Sequence, residues 1–195
     1  MTGIIDYGAG NTASVGYALS RLDADFFVSS SLEELAGFDR LILPGVGSAR
    51  FAMESLYNKG LVDLIIGWKK PFLGICLGMQ LLVDHSEEGD TPCIGIIPGE
   101  CLLFDRQKTK VPLIGWNKVI FDKSSAIFDG IESKEWFYFA HSYFIHESKF
   151  TIARCENGTP YSAAVRKDNF LGVQFHPEKS SGKGMKLLDN FIKWR

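Results

Sequence analysis

The sequence predicts an α/β fold with a central, mostly parallel sheet, helices on both faces and an added antiparallel region. Up to Gly89, short apolar runs alternate with segments whose apolar residues recur every three or four positions, which is typical of parallel β-α units. Beyond Gly89, runs rich in β-branched and aromatic residues are separated by glycine, proline and charge, as in hairpins or a meander. Glycine-bearing strand ends at Gly8, Gly45 and Gly74 are expected to meet at one sheet edge, where such folds place their sites.

The first predicted unit is a strand, a glycine turn and a helix. We predict the strand over residues 3–7, followed by the turn G-A-G-N at residues 8–11. This turn lacks the third glycine of a dinucleotide fingerprint and the lysine of a P-loop, so it does not indicate a nucleotide site. Helical spacing follows at Val15, Ala18, Leu19 and Leu22.

The next units repeat this alternation. Residues 26–28 and 40–43 predict strands, and the segment between them, 32–35, is interpreted as a polar-flanked turn. The second strand is closed by P-G-V-G at residues 44–47, and a helical stretch follows over residues 51–65.

The most informative stretch is P-F-L-G-I-C-L-G-M-Q-L-L, at residues 71–82. Residues 72–75 predict a buried strand, and a helix-like pattern runs from Leu77 to Asp84, so the chain must turn at Cys76. Gly74 and Gly78 flank this cysteine in a G-x-nucleophile-x-G arrangement, which permits a strained strand-to-helix turn that exposes the side chain. A thiol at a helix N-terminus is favoured as thiolate. The alternative is a small, buried, apolar cysteine.

The second half predicts further strands and a closing helix. The helix spans residues 184–194, with Met185, Leu188, Phe191 and Ile192 at helical spacing. The predicted strands are residues 101–104, 119–121, 136–144, 152–155, 162–165 and 170–175.

Composition excludes several classes of function. The net charge of -2 gives no electrostatic footprint for nucleic acid or an anionic membrane. No signal-peptide pattern or bilayer-length apolar run occurs, which predicts a cytoplasmic protein. No linker appears in the sequence, which predicts a single domain over residues 1–195. Cysteine and histidine spacings match no metal site, and Cys93, Cys101 and Cys155 are expected to be free thiols. We predict no metal and no cofactor.

A second chemical motif follows the strand at residues 170–175. His176 and Glu178 flank Pro177, and side chains two residues apart in an extended chain point the same way. A neutral histidine accepts a thiol proton, and a carboxylate orients the imidazole and stabilises the imidazolium. The alternative is a solvated strand end without a catalytic role.

Four motifs together resemble the class I glutamine amidotransferases. They are P-G-V-G, G-I-C-L-G-M-Q-L-L, Y-F-A-H-S-Y and V-R-K-D-N-F-L-G-V-Q-F-H-P-E-K-S, in that order. Within the class, I-I-D-Y-G-A-G-N and K-V-P-L-I-G-W-N resemble the glutaminase subunits of imidazole glycerol phosphate synthases. The resemblance covers residues 3–192 and implies the three-layer fold of that class.

The resemblance also implies roles for individual residues. Cys76 is expected to be the nucleophile, His176 the general base and then acid, and Glu178 the carboxylate that orients it. Expected oxyanion donors are Leu77, Val46 and Gly47. Glutamine is expected to be held by Gln80, His141, Ser142 and Tyr143, although residues 141–143 also fit an ordinary aromatic strand end.

A partner is implied in the same way. In this family, glutamine is hydrolysed through a cysteine thioester and the ammonia passes to a cyclase subunit with a (β/α)8-barrel fold, here predicted to form a heterodimer. Asn11, Tyr138 and Lys179 occupy positions where the family meets that barrel, although Lys179 also fits a merely solvated charge. The chain departs from the usual pattern at residues 12–14 and 48–51, which weakens inference about the partner more than about glutamine chemistry.

Three competing interpretations remain at this point. A paralogous subunit would supply ammonia to a surface-sugar pathway. A cysteine hydrolase or peptidase of the same architecture would use another acyl substrate, although Gln80 and Y-F-A-H-S-Y argue against it. A non-enzymatic regulatory subunit would retain the fold, but an intact set of Cys76, His176 and Glu178 gives no sign of decay.

Overall fold

The computed structural model describes residues 1–121 and 125–194. Within these residues the α-helices are α1 (Thr12–Ser20), α2 (Leu32–Ala36), α3 (Ala49–Asn58), α4 (Leu61–Gly67), α5 (Leu77–Gln80) and α6 (Ser181–Lys193). Short 3-10 turns cover Ala126–Phe128 and Pro177–Lys179.

The strands form two sheets. In chain order they are β1 (Thr2–Ile5), β2 (Phe26–Ser29), β3 (Arg40–Gly45), β4 (Phe72–Cys76), β5 (His85–Ser86), β6 (Thr91–Pro92), β7 (Glu100–Leu103), β8 (Leu113–Phe121), β9 (Glu135–His141), β10 (Tyr143–Ile145), β11 (Thr151–Glu156), β12 (Pro160–Lys167) and β13 (Phe170–Val173). The main sheet of the described residues has the order β2-β1-β3-β4-β13-β12-β11-β8-β9, and a smaller one has the order β10-β7-β5-β6.

The main sheet changes direction in the middle. Strands β2, β1, β3, β4 and β13 are mutually parallel. From β13 onwards, each neighbour is antiparallel through β12, β11, β8 and β9. The prediction of a parallel region with an added antiparallel region is therefore confirmed.

Two apolar cores cover the two faces of the main sheet, because successive strand residues point to opposite sides. Ile4 belongs to the core that includes α1 and α6. Its neighbour Ile5 belongs to the core that includes α2, α3, α4 and the smaller sheet. The three-layer arrangement with helices on both faces is confirmed.

Several predicted elements were wrong in detail. The segment predicted as a turn at residues 32–35 is helix α2, because Ser31 caps it by accepting the backbone N–H of Glu34 at 3.4 Å. The helical stretch over 51–65 is two helices, separated at Gly60, whose φ is +69°. The helix expected to run to Asp84 ends at Gln80.

Strand boundaries also differ. The predicted strand 136–144 is divided between β9 in the main sheet and β10 in the smaller one. The strand predicted at 170–175 ends at Val173, and it pairs with β4 as well as with β12. This second pairing positions the candidate site.

Candidate active site

Three strand ends bring the site together. In the parallel ladder, Gly45 of β3 is paired with Cys76 of β4, and Ile75 of β4 is paired with Val173 of β13. His176 follows β13 by three residues, so it lies next to the end of β4. The carboxyl edge of a parallel sheet is the general location of sites in this class of fold.

Cys76 occupies a strained turn between β4 and α5. Its φ of 55° and ψ of -110° lie outside the regions that L-residues normally adopt. Glycines make the turn possible: a Cβ on Gly78 would lie 1.9 Å from the carbonyl oxygen of Leu43, and a Cβ on Gly74 would lie 2.5 Å from that of Gly78. The G-x-C-x-G pattern is thus a packing requirement as well as a conformational one.

His176 and Glu178 form a buried pair. The Nδ1 atom of His176 lies 2.8 Å from Oε1 of Glu178, and the two side chains are 4% and 2% exposed. Behind them, the His176 backbone N–H donates to the Tyr138 carbonyl at 2.8 Å. Ser180 Oγ donates to the His176 carbonyl at 2.6 Å and accepts the Tyr138 N–H at 2.9 Å. Ser180 therefore closes a ring of hydrogen bonds that fixes the histidine segment against β9.

The electrostatics of this pair favour the imidazolium. Burial acts to lower the pKa of His176, but its hydrogen bonds to the Cys76 and Glu178 side chains, together with the charges of those groups, outweigh burial and raise the pKa to about 10. His176 therefore carries a proton at neutral pH beside the Cys76 sulfur. A cation beside a thiol favours the thiolate, the nucleophilic form.

The Tyr143 carbonyl organises the opposite wall of the site. It lies 2.7 Å from Nδ1 of His141 and accepts an Nε2–H of Gln80 at 2.9 Å. Because a carbonyl oxygen only accepts, Nδ1 of His141 carries the proton. Burial lowers the pKa of His141 to about 4, so this ring is neutral.

Two polar residues at the site, Gln174 and Glu88, were missed from the sequence. Gln174 is fully buried, and its Nε2 lies 3.7 Å from the Cys76 sulfur. Glu88 accepts the Ala49 N–H at 2.8 Å, and burial raises the pKa of its carboxyl against the opposing effect of that hydrogen bond. Gln174 lies two residues before His176 in the quoted motif, which is a signal that could have found it. Glu88 lies in a charged loop with no distinguishing pattern.

One cleft of about 360 Å³ lies at this site, a size typical of small-molecule sites. Cys76 and His176 both line it, as do the residues predicted to hold glutamine. The cleft is lined by Val46, Gly47, Cys76, Leu77, Gln80, Glu88, Pro112, Ile114, Ala140, His141, Ser142, Tyr143, His176 and Lys179.

The predicted oxyanion donors lie at the same cleft. Leu77 is the first residue of α5, where a backbone N–H has no partner within the helix. Val46 and Gly47 are exposed in the loop after β3, and Gly47 has a φ of +98°. The residues predicted to supply oxyanion donors thus line the cleft from two neighbouring strand ends.

The predicted partner residues are more dispersed. Lys179 is exposed at the rim of the cleft, with its Nζ 5.8 Å from the centre of the Tyr138 ring. Asn11 does not line the cleft: its side chain caps α1 by accepting the Ser14 N–H at 3.1 Å.

Neither a metal-binding cluster nor a membrane-spanning helix occurs in the part of the chain that the structure describes. Residues 1–121 and 125–194 contain no group of three or more histidine, cysteine or acidic side chains able to hold a metal ion. No helix in the same ranges is long and apolar enough to cross a membrane.

Comparisons with known proteins agree with this geometry. The family model described as "Glutamine amidotransferase class-I" matches residues 3–194. The chain is 42% identical over 193 residues to "Imidazole glycerol phosphate synthase subunit HisH 2" of Legionella pneumophila, covering 98% of this chain and 97% of the relative. It is 45% identical over 196 residues to subunit HisH of Shewanella sediminis, covering 98% and 89%.

Solved structures agree with the fold. A protein from Thermoplasma acidophilum described as a putative GMP synthase component superimposes with a TM-score of 0.74 at 23% identity, covering 98% of this chain and 92% of the other. PurLQS from Thermotoga maritima gives a TM-score of 0.71 at 19% identity, covering 98% and 97%. At these identities the likeness concerns the fold alone. With the family model and relatives matched over nearly their whole length, the chain belongs to the class-I glutamine amidotransferase family.

Proposed function

We propose that this chain is the glutaminase subunit of an imidazole glycerol phosphate synthase of histidine biosynthesis. It hydrolyses glutamine to glutamate and ammonia and passes the ammonia to a cyclase subunit. The observation that carries the proposal is the buried pair of His176 and Glu178 beside the strained Cys76, with Cys76 and His176 lining one small-molecule cleft. The identity of relatives matched over most of their length, which are HisH subunits of imidazole glycerol phosphate synthase, supports the assignment to this synthase.

The first half of the reaction forms a thioester. The Cys76 sulfur, as thiolate, forms a bond to the side-chain amide carbon of glutamine, and the carbonyl electron pair moves to oxygen. His176 then gives its proton to the amide nitrogen. The C–N bond breaks, ammonia leaves, and a γ-glutamyl thioester remains on Cys76. The raised pKa of His176 supports this acid role, because the ring is protonated when glutamine arrives.

The second half hydrolyses the thioester. The now neutral His176 takes a proton from water as the water oxygen attacks the thioester carbon. Collapse of the second tetrahedral intermediate breaks the C–S bond and releases glutamate, whose new carboxyl group ionises in water. Cys76 thiolate and His176 imidazolium are restored. Glu178 holds the ring through Nδ1 in both halves.

Both tetrahedral intermediates carry an oxyanion, which the Leu77 N–H and the loop of Val46 and Gly47 stabilise. Loss of one such donor typically costs about 3 to 4 kcal/mol in activation free energy. Val46 and Gly47 are exposed. A partner subunit could therefore contact this loop and influence the oxyanion donor that it carries.

The remaining cleft residues hold the substrate. Both hydrogens of the Gln80 amide nitrogen are directed to protein oxygens, which leaves its Oε1 as the group for glutamine. His141, Ser142 and Tyr143 form the wall beside it. Glu88 adds a half-buried carboxylate whose pKa is raised by burial, and the α-ammonium of glutamine is a cation of suitable size to pair with it.

The partner is proposed to be a cyclase subunit of (β/α)8-barrel fold that covers the cleft in a heterodimer. Ammonia is lost to protonation if released into water, so a cover over the cleft is needed. Lys179 lines the cleft, with its Nζ 5.8 Å from the centre of the Tyr138 ring, and both residues are proposed to contact the partner. Asn11 is proposed as a further contact, next to the carboxyl edge of β1.

Co-purification with candidate cyclases tests the proposal. Glutamate release is measured for the chain alone, with each cyclase, and with each cyclase plus its nucleotide ligand, using Cys76→Ala as the inactive control. We expect release to increase only with the histidine-pathway cyclase. Stimulation by a surface-sugar cyclase alone would support the paralogous assignment, and unchanged turnover in Cys76→Ala would exclude the thioester mechanism.

A further inference from the structure

A chain of side-chain amides lies behind the Cys76 sulfur. Gln80 donates from Nε2 to the Tyr143 carbonyl and to Oε1 of Gln174, both at 2.9 Å. Gln174 in turn directs its own Nε2 at the sulfur of Cys76, at 3.7 Å. This series of contacts, here called the relay, connects the Tyr143 carbonyl to the Cys76 sulfur through the buried amides of Gln80 and Gln174.

The direction of this relay is fixed by its first member. The Tyr143 carbonyl can only accept, so Gln80 must present its nitrogen there. The same nitrogen carries the second hydrogen, so Gln174 must present its oxygen to Gln80. The opposite end of the Gln174 amide, which faces the sulfur, is then a donor and not an acceptor.

Burial makes this orientation consequential. Gln174 is 0% exposed and Gln80 is 4% exposed, so solvent competes little for the amide hydrogens that form these contacts. In such an environment, a hydrogen-bond donor that faces an anion stabilises the anion, whereas an acceptor in the same place would repel the anion.

Resting on the proposed function, we infer that Gln174 is a further catalytic residue, whose amide N–H holds the Cys76 sulfur in place and stabilises its anionic form. Gln80 is then a positioning residue as well as a substrate contact, because it sets which end of the Gln174 amide faces the sulfur.

Alkylation of Cys76 by iodoacetamide tests this directly. The rate is measured against pH, with modification at Cys76 verified by mass spectrometry, in wild type and in Gln174→Met. Methionine keeps the length of the side chain and removes the donor. We expect the midpoint of the alkylation profile to rise by about one pH unit, so that the rate below the midpoint falls about tenfold. The titratable side chains that interact with the thiol, His176, Tyr7 and Cys101, are unchanged in this variant.

A matched control separates chemistry from stability. Asn190→Leu removes a side-chain amide on α6 that donates to two backbone carbonyls, at 3.0 and 2.8 Å, and Asn190 does not line the cleft. We expect it to lower the melting temperature and leave the midpoint unshifted. An unshifted midpoint in Gln174→Met, or an equal shift in Asn190→Leu, would overturn the inference.

Gln80→Met is a second variant, and it tests the role of the Gln174 amide if Gln174→Met does not fold. This substitution frees the Gln174 amide to turn, so the midpoint of the alkylation profile is expected to rise by less than in Gln174→Met. An unchanged midpoint would count against the relay. The alkylation needs neither glutamine nor partner. A shifted midpoint in a chain that never releases glutamate would contradict the proposed function while leaving the sulfur contact supported.

Discussion

Gly78 is packed directly against Leu43, so that a Cβ at position 78 would lie 1.9 Å from the Leu43 carbonyl oxygen. This contact holds the first turn of α5 against β3 and thereby sets the direction in which Cys76 faces the cleft. Backbone lies on the other side of the contact, so a flexible side chain cannot move aside to make room.

We therefore expect Gly78→Ala to destabilise the protein by about 3 kcal/mol, at the upper end of the usual cost of overpacking, and to abolish glutaminase activity in the molecules that remain folded. Gly182→Ala is the control, because a Cβ on this exposed helical glycine meets nothing within 4 Å. Its effect is expected to range from none to a gain of about 1 kcal/mol. Urea unfolding measures both, and equal stability of the two variants would contradict the packing argument.

His176 makes the stability of the fold depend on pH. Its folded-state pKa is raised to about 10 from the ordinary value of 6.5. A raised pKa means that the native state binds the proton more tightly, so the stabilisation is complete below about pH 6.5 and is lost as pH rises through about 10. Urea unfolding should show a larger loss of stability over this interval in wild type than in His176→Asn. If the unfolding free energy of both proteins changed with pH in the same way, a proton held between His176 and Glu178 would be ruled out as the cause.

Ser180 is expected to act on catalysis through the His176 backbone. Ser180→Ala leaves the Tyr138 N–H without its acceptor, and the His176 carbonyl keeps only the Lys179 N–H as donor, which costs about 1 to 3 kcal/mol in unfolding free energy. We expect kcat to fall with little change in KM, because the base is displaced and the substrate contacts remain.

Ser31→Ala is the matched control for that variant. It removes the cap of α2, at a cost of about 1 kcal/mol, and Ser31 does not line the cleft. Its kcat should be that of wild type. A comparable fall in kcat in both variants would mean that general destabilisation, and not the position of His176, explains the result.

Glu88 is expected to set the affinity for glutamine. Glu88→Gln keeps the size of the side chain and removes the charge proposed to pair with the α-ammonium, so KM should rise at least tenfold while kcat changes less. The comparison substrate is a glutamine analogue that lacks the α-amino group, for which the variant and wild type should perform alike. An unchanged KM for glutamine would remove Glu88 from the binding site.

The sequence predicted what depends on local pattern. The turn at Cys76 was predictable because Gly74 and Gly78 stand at fixed offsets from the cysteine. Helix α2 was predictable in principle, because Ser31 and Glu34 have the spacing of a helix-capping signal. The helix has only five residues, which is too short to show a helical pattern of apolar residues. The amide contact of Gln174 was not, because it depends on tertiary packing that brings residues 98 positions apart together.

The pairing of β13 with β4 was equally beyond local pattern. Residues 170–175 were expected to form hairpins or a meander, which their pairing with β12 satisfies. Nothing in the local sequence specifies the parallel partner on the other edge, because hydrogen bonds between strands are made by backbone groups that all residues share. That non-local pairing brings His176 beside Cys76.

The position of β13 between a parallel and an antiparallel neighbour also has a dynamic consequence. Cys76 ends β4, and His176 follows the adjoining strand β13 by three residues, at the middle of the main sheet. Movement of a peripheral loop therefore leaves these two strand ends together. Amide hydrogens of Leu73 and Leu171 should exchange with solvent as slowly as the most protected in the protein. The reactive pair would then persist until the domain unfolds as a whole, while the exposed loop at Val46 and Gly47 remains free to adjust.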